Sequence, residues 1–281
     1  MQLPRPLPTQ RPPVVQVVGP SGPLGPHVER LHQGIQTLRD AGFDARIDKS
    51  LSNRKHRGYL SGSDTVRARE FVRAVSDPGC DIVWWARGGS GAGRIESEIV
   101  AGIADLKPKW LVGFSDATSL LNAISIKLGW VTIHGPTVTL LPSQPDSLSA
   151  LVELTQELHK PSAQEASATL PVYGGNITVL ASMMGCIELT RLPPHRLLLE
   201  DVGEAPYRLD RSLTQLRNAW PINQTHEVLL GDLDLSSEET HKIAGYIAED
   251  FGCPVREGVE AGHRGYAAFI PLGHSKVKPC S

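Results

Sequence analysis

The chain has no long hydrophobic run, no excess of either charge, and few sulfur or aromatic residues. Only four of its 281 residues are cysteine, at positions 80, 186, 253 and 280. They stand far apart, so neither a CxxC redox pair nor a zinc knuckle can be drawn from them. Such sparse cysteine fits a reduced cytoplasmic setting. No segment approaches the roughly 20 apolar residues needed to cross a bilayer. The leading stretch Met1-Gln2-Leu3-Pro4-Arg5-Pro6-Leu7-Pro8 lacks the apolar core of a signal peptide and is broken by prolines. Residues 1–13 are therefore expected to form a disordered arm. Twenty-eight Lys and Arg stand against thirty Asp and Glu, a formal net charge of −2. That balance leaves no footprint for nucleic acid. The one basic cluster, Arg54-Lys55-His56-Arg57, reads as a solvated loop. A soluble protein with neither nucleic-acid nor membrane partner is expected.

What is present is a regular alternation of short apolar runs and helical patterns. Val14 to Val18, Phe43 to Ile47, Asp81 to Ala86, Trp110 to Gly113 and Trp130 to His134 read as strands. Val28 to Ala41, Ser63 to Val75 and Asp116 to Leu128 carry apolar residues at helical spacing. Ser63 or Asp64 stands as a cap, and Gly42 as a terminator. Strands alternating with helices predict an α/β fold with a parallel sheet covered on both faces. This first domain is placed at 14–140. Residues 141–170, rich in Pro, Ser, Gln and Ala around one helical run at 151–158, read as a linker. Residues 171–281 read as a smaller mixed α/β domain. Its strands are near Val172 to Asn176, Arg196 to Leu199 and Glu227 to Leu230, and its helices near Leu209 to Trp220 and Glu238 to Phe251.

Ligands in parallel sheets bind at the carboxyl ends of the strands. Four special segments fall there: Gly19-Pro20-Ser21, Arg87-Gly88-Gly89, Ser115 and His134-Gly135-Pro136. The run Arg87-Gly88-Gly89-Ser90-Gly91-Ala92-Gly93 fits GxGxxG poorly, and no GK[ST] follows, which excludes a P-loop. No nucleotide cofactor and no metal are expected. What remains is a loop with little bulk, whose N–H groups can approach a ligand closely; a plain flexible turn is the other reading.

Leu111-Val112-Gly113-Phe114-Ser115-Asp116 joins the end of a strand to the start of a helix. A serine there can expose its hydroxyl on a tight turn, and the N–H of the next residue, Asp116, can stabilise an oxyanion. Serine is equally a favoured N-cap, so the segment supports both readings. Glu200 ends the apolar run Leu197-Leu198-Leu199, where it can orient a histidine or simply be solvated. His263, between Gly262 and Arg264, is a candidate general base or a structural histidine. Ser115, His263 and Glu200 supply the nucleophile, base and orienting acid that serine chemistry needs.

These residues fall in ordered blocks: Gly19-Pro20-Ser21-Gly22-Pro23, Gly62-Ser63-Asp64 with Arg67-Ala68, and Ala86-Arg87-Gly88-Gly89. They continue through Gly113-Phe114-Ser115-Asp116, His134-Gly135-Pro136 and Gly174-Gly175-Asn176. The last are Leu199-Glu200-Asp201 through Pro206-Tyr207-Arg208-Leu209-Asp210-Arg211, and Gly262-His263 with Pro271-Leu272-Gly273. In this order, from about Val14 to Gly273, the chain resembles the LD-carboxypeptidases, serine peptidases that include murein tetrapeptide carboxypeptidases and microcin C immunity relatives. The resemblance implies a Ser115–Glu200–His263 triad, with an oxyanion hole from the N–H of Asp116 and an N–H at Gly88 or Gly89. It also implies a flavodoxin-like first domain and a homodimer. The implied activity cuts the L,D-bond before the terminal D-alanine of a muropeptide tetrapeptide, in cytoplasmic peptidoglycan recycling. Arg87 is a candidate for the substrate carboxylate, because its fork matches one. Ser90 stands at a position often aromatic in the family, and Arg264 and Tyr266 assign no subtype. A peptidyl-nucleotide hydrolase with the same triad, and a non-catalytic nucleotide- or metabolite-binding protein, are the alternative readings.

Overall fold

The computed structural model describes residues 1–144, 147–160, 170–186, 189, 192–263 and 268–274. Six strands build the larger sheet: Val14–Val18 (β1), Asp44–Ile47 (β2), Ile82–Trp85 (β3), Trp110–Gly113 (β4), Thr132–His134 (β5) and Ile270–Leu272 (β10). Their order is β10-β5-β4-β3-β1-β2. The first five run parallel, and β10 runs antiparallel against β5. The order β2-β1-β3-β4-β5 is that of flavodoxin-like sheets, whose ligand crevice opens where the winding reverses, between β1 and β3. β3 and β4 are buried along their whole lengths, as strands covered on both faces must be.

The helices follow from the apolar spacing. Val28–Asp40 (α1) buries Leu31, Gly34, Ile35 and Leu38. Asp64–Ser76 (α2) starts at Ser63, whose hydroxyl accepts the Val66 N–H. Glu96–Ile103 (α3) was not expected; its entry is a glycine-rich turn that hides the period. Ala117–Leu128 (α4) follows the Ser115 turn.

A second sheet holds Val172–Asn176 (β6), His195–Glu200 (β7), Thr225–Leu230 (β8) and Val255–Arg256 (β9), all parallel, in that order. Ile177–Met183 (α6), Pro206–Ala219 (α7) and Ser237–Phe251 (α8) cover it. A full capping box between Ser236 and Glu239 opens α8.

Three expectations differ from the fold. Residues 1–13, expected as a disordered arm, lie against the larger sheet. Gln2 bridges Trp130, Leu7 is buried, and the Trp110 indole donates to the Arg5 carbonyl at 2.8 Å. Apolar Leu3 and Leu7 alternate with the prolines, and that was enough to anchor the segment. Within residues 141–170, expected as a linker, Ser147–Glu157 (α5) places Leu148, Leu151 and Leu154 in the core of the larger sheet, with Leu158 just beyond it. Residues 161–169 lie outside the described part, as do Arg264, Tyr266 and Cys280. Third, the chain's late strand β10 returns to the first sheet rather than staying with the second.

Gly34 marks a close approach. A β-carbon there would overlap the carbonyl of Val138 in the 3-10 segment 138–143. In an open helix, Gly→Ala gains about 1 kcal/mol. Here overpacking costs about 1–3 kcal/mol. Gly34→Ala is expected to lower unfolding stability by about 1 kcal/mol in urea titrations, and a stability gain would contradict this packing.

Candidate active site

Ser115 has φ +59°. An N-cap serine takes extended backbone and accepts a helix N–H. Ser115 does neither; Asp116 holds the N-cap position. A non-glycine residue in left-handed backbone costs roughly 1–2 kcal/mol and marks a constrained functional turn more often than a cap. The local sequence enforces it. A β-carbon at Gly113 would lie 2.9 Å from Ala117 Cβ, so the strand can turn this sharply only at glycine. On the facing loop, a β-carbon at Gly88 would lie 2.9 Å from Ser115 Oγ. Both positions keep the serine hydroxyl uncovered.

Ser115 and His263 line one cavity of about 210 Å³ with His27, Arg30, Arg87, Gly88, Gly89, Phe114, Thr137, Thr139 and Leu140. Except for His263, these residues come from the segments that follow β1, β3, β4 and β5, Arg30 from the first turn of α1. His263 precedes β10, which is antiparallel: Ile270 pairs with His134 at the end of β5, so the chain enters β10 at the edge where Ser115 lies. His263 Nδ1 lies 3.1 Å from Glu200 Oε2, and its ring packs on Phe114 with centroids 4.4 Å apart. Glu200 ends β7 and is fully buried. Burial pushes its carboxyl above the ordinary range, and the His263 hydrogen bond and charge oppose that shift. The acid thus sits in a dry site with one ring nitrogen to hold, which fixes the histidine tautomer and leaves Nε2 for other work.

The glycine loop is held from behind. Asp116, buried, accepts the Ala92 N–H at 2.9 Å. Burial raises its pKa, opposed by hydrogen bonds and by the charge of Arg67. Arg67, fully buried on α2, donates to the carbonyls of Pro20 and Gly91 and pairs with Asp64. The N–H groups of Gly88, Gly89 and Asp116 bond to no described residue, so all three remain free as donors around the Ser115 turn. Arg87 is half-buried, with Nη1 donating to the Pro23 carbonyl. The structure therefore gathers every site residue read from the sequence: Ser115, Asp116, Glu200, His263, Gly88, Gly89 and Arg87. Sequence reasoning missed His27, Arg30, Thr137 and Thr139 on the same cavity. Thr137 and Thr139 follow β5 within five residues, which was the available signal; His27 and Arg30, nine and twelve residues past β1, carried none.

Residues 15–135 match the family model described as the LD-carboxypeptidase N-terminal domain, and residues 171–276 the LD-carboxypeptidase C-terminal domain. The chain belongs to the LD-carboxypeptidase family. A protein of Synechocystis sp. is 32% identical over 96% of this chain and 92% of its own length. The murein tetrapeptide carboxypeptidase of Pseudomonas aeruginosa is 28% identical over 94% of this chain and 92% of its own. The crystal structure of an MccF-like protein from Bacillus anthracis superposes with TM-score 0.80 at 20% identity, covering 97% of this chain and 94% of that one. Among the described residues no helix is long and apolar enough to cross a membrane.

Two features of this LD-carboxypeptidase site carry stability signatures. If Ser115 is strained by its backbone, Ser115→Gly should be about 1 kcal/mol more stable than Ser115→Ala in chemical denaturation. Equal stability of the two would remove the strain. The second feature is His134, buried at the end of β5 with neither ring nitrogen bonded among the described residues. Burial, helped by the charge of His263, pushes its pKa down to about 3. The folded protein keeps this ring neutral, while the unfolded chain takes up a proton below about 6.5. Stability is therefore lost as pH falls from about 6.5 toward 3, by up to about 1.4 kcal/mol per unit. Between pH 7 and 5 wild type should lose about 2 kcal/mol more than His134→Gln. Parallel pH profiles of the two proteins would refute this.

Proposed function

We propose that this protein is a serine carboxypeptidase that hydrolyses the L,D-peptide bond before a terminal D-alanine in muropeptide tetrapeptide stems, serving cytoplasmic peptidoglycan recycling. The observation that carries the reading is the pairing of buried Glu200 with His263, which opens onto the cavity that exposes Ser115 on a left-handed turn. Family membership and the likeness to a murein tetrapeptide carboxypeptidase support the substrate class.

In this reading Ser115 Oγ attacks the scissile carbonyl while His263 Nε2 takes its proton. Glu200 stabilises the imidazolium that forms, and no proton passes on to the acid. The N–H of Asp116 and one N–H of the Gly88-Gly89 turn bind the oxyanion, each worth about 3 kcal/mol in the transition state. His263 then protonates the departing D-alanine amine. Water, activated by the same ring, hydrolyses the acyl-enzyme. Gly88 keeps the oxyanion position free of side chain, and Arg87 is placed to meet a carboxylate.

Released D-alanine, measured on a defined L,D-tetrapeptide and a D,D-pentapeptide, tests the proposal. The tetrapeptide should be cleaved and the pentapeptide spared. Ser115→Ala should lower kcat by at least about 10⁴-fold, and Glu200→Gln by about 10²–10⁴-fold with the fold retained. Wild-type rates in Ser115→Ala would overturn the triad. Hydrolysis of a peptidyl-nucleotide without release of D-alanine would overturn the substrate and leave the triad standing.

A further inference from the structure

Most arginines that close a contact in this protein close it on an acid. Arg11 pairs with Asp81, Arg54 with Glu70, Arg94 with Asp64, Arg217 with Asp250 and Arg256 with Glu227. Arg30 and Arg87, which line the cavity of Ser115 and His263, do not: neither forms an ion pair with any described carboxylate. Among the described residues no Asp or Glu lines that cavity. For Arg87 the omission is costly. It is half-buried, burial lowers its pKa, and its only described hydrogen bond goes to a neutral carbonyl, that of Pro23. A desolvated guanidinium without a counter-ion is destabilising unless an anion arrives.

The two arginines converge. His27, at the start of α1, lies close enough to both that their positive charges lower its pKa, after burial itself. Arg30 sits one turn further along α1, and Arg87 follows β3, so the rim between the ends of β1 and β3 carries three groups able to bind an anion. Leu140, Phe114 and the hydroxyls of Thr137 and Thr139, which lie 3.2 Å apart, add uncharged lining. At about 210 Å³ the space falls below the roughly 300–1,000 Å³ of ordinary ligand pockets. It suits one small residue and no longer segment.

We propose that Arg30 and Arg87, with His27 beside them, form the carboxylate-binding subsite for the departing amino acid, so that the cavity accepts a single small C-terminal residue with a free carboxylate. This rests on the peptidase reading and deepens it. The planar fork of Arg87, fixed by Pro23, meets one face of the carboxylate. Arg30, exposed on α1, closes from the solvent side. The exposed position of Arg30 lets the product leave once the acyl bond has formed. An internal peptide bond carries no such charge and is not bound here, which makes the enzyme an exopeptidase by electrostatics as well as by size.

Steady-state kinetics on the L,D-tetrapeptide and on its C-terminal carboxamide test this. A charge-assisted pair supports a preference of about 10–100-fold in kcat/KM for the acid in wild type. Arg30→Gln should shrink that acid-to-amide ratio to a few-fold, mainly through KM, and Arg30→Lys should restore part of it. Equal use of acid and amide by wild type, or an unchanged ratio in Arg30→Gln, would overturn the subsite while leaving the peptidase reading intact. A wild type that cleaves neither substrate counts against the peptidase reading instead. The subsite is then judged on Ser115→Ala by NMR titration with D-alanine and D-alaninamide. Binding of D-alanine alone, weakened at least about tenfold by adding Arg30→Gln, upholds it. Equal binding of the two ligands overturns it.

Discussion

One side-chain amide joins the two sheets. Asn122, on α4, donates from its nitrogen to the Gly174 carbonyl at 2.9 Å and accepts the Gly174 N–H on its oxygen at 2.8 Å. It thereby pairs with β6 as a neighbouring strand would. One turn earlier on the same helix, Thr118 Oγ accepts the Asn176 N–H at 3.1 Å. Each bond contributes only about 1 kcal/mol net, but breaking them would leave buried backbone groups unpaired, at about 1–3 kcal/mol each. α4 begins at the Ser115 turn, and β6 lies beside β7 with Asn176 in register with Glu200. The nucleophile's helix and the acid's strand are thus fixed in one frame. Gly174 and Gly175 make this possible. Their φ values are +120° and +140°, and β-carbons there would run into the Leu198 carbonyl and the Thr118 hydroxyl.

The histidine is fixed by a second crossing in the opposite direction. Its segment leaves the smaller sheet where the Asp232 N–H donates to the Ala261 carbonyl at 2.8 Å. It joins the larger sheet at Ile270, opposite His134. His263 lies two residues past Ala261, with its ring on Phe114 and Nδ1 on Glu200. Neither sheet alone holds Ser115, Glu200 and His263; the site exists because the chain passes between the sheets twice.

Much of this was legible in the sequence, for identifiable reasons. β1, β4 and β6 lie where their apolar runs place them, and α1, α2 and α4 follow their apolar spacing to within a residue or two. Those elements are buried on a regular face, so period alone locates them. The order of family motifs located Ser115, Glu200 and His263, and the structure brings these three to one place. What was not legible depends on long-range pairing. The three residues of β10 carry no period, and only their register with β5 makes them a strand. The proline-rich arm reads as disordered because its anchors, Trp110 and Trp130, are more than a hundred residues away. Arg30 looks like any surface arginine until the topology sets it beside Arg87.

The polar groups of the molecule are divided by position in a way that explains how a strained turn persists. Behind the glycine loop, Arg67 and Asp116 are buried, and their hydrogen bonds hold Pro20, Gly91 and Ala92. Such buried charges cost several kcal/mol in desolvation, offset here by the hydrogen bonds to the loop and by the ion pair of Arg67 with Asp64. Their effect is to stop the loop from relaxing, so Gly88 stays against Ser115 and the free N–H donors stay in place without substrate. In front of the loop the arrangement is reversed: Arg87 is desolvated and lacks a counter-ion, and Ser115 is strained. The rigid side therefore maintains the unsatisfied side. Strain of about 1–2 kcal/mol at one residue is small against the network behind it. It need not be relieved in the free protein, and what the front of the loop lacks is an anion and an electrophilic carbonyl.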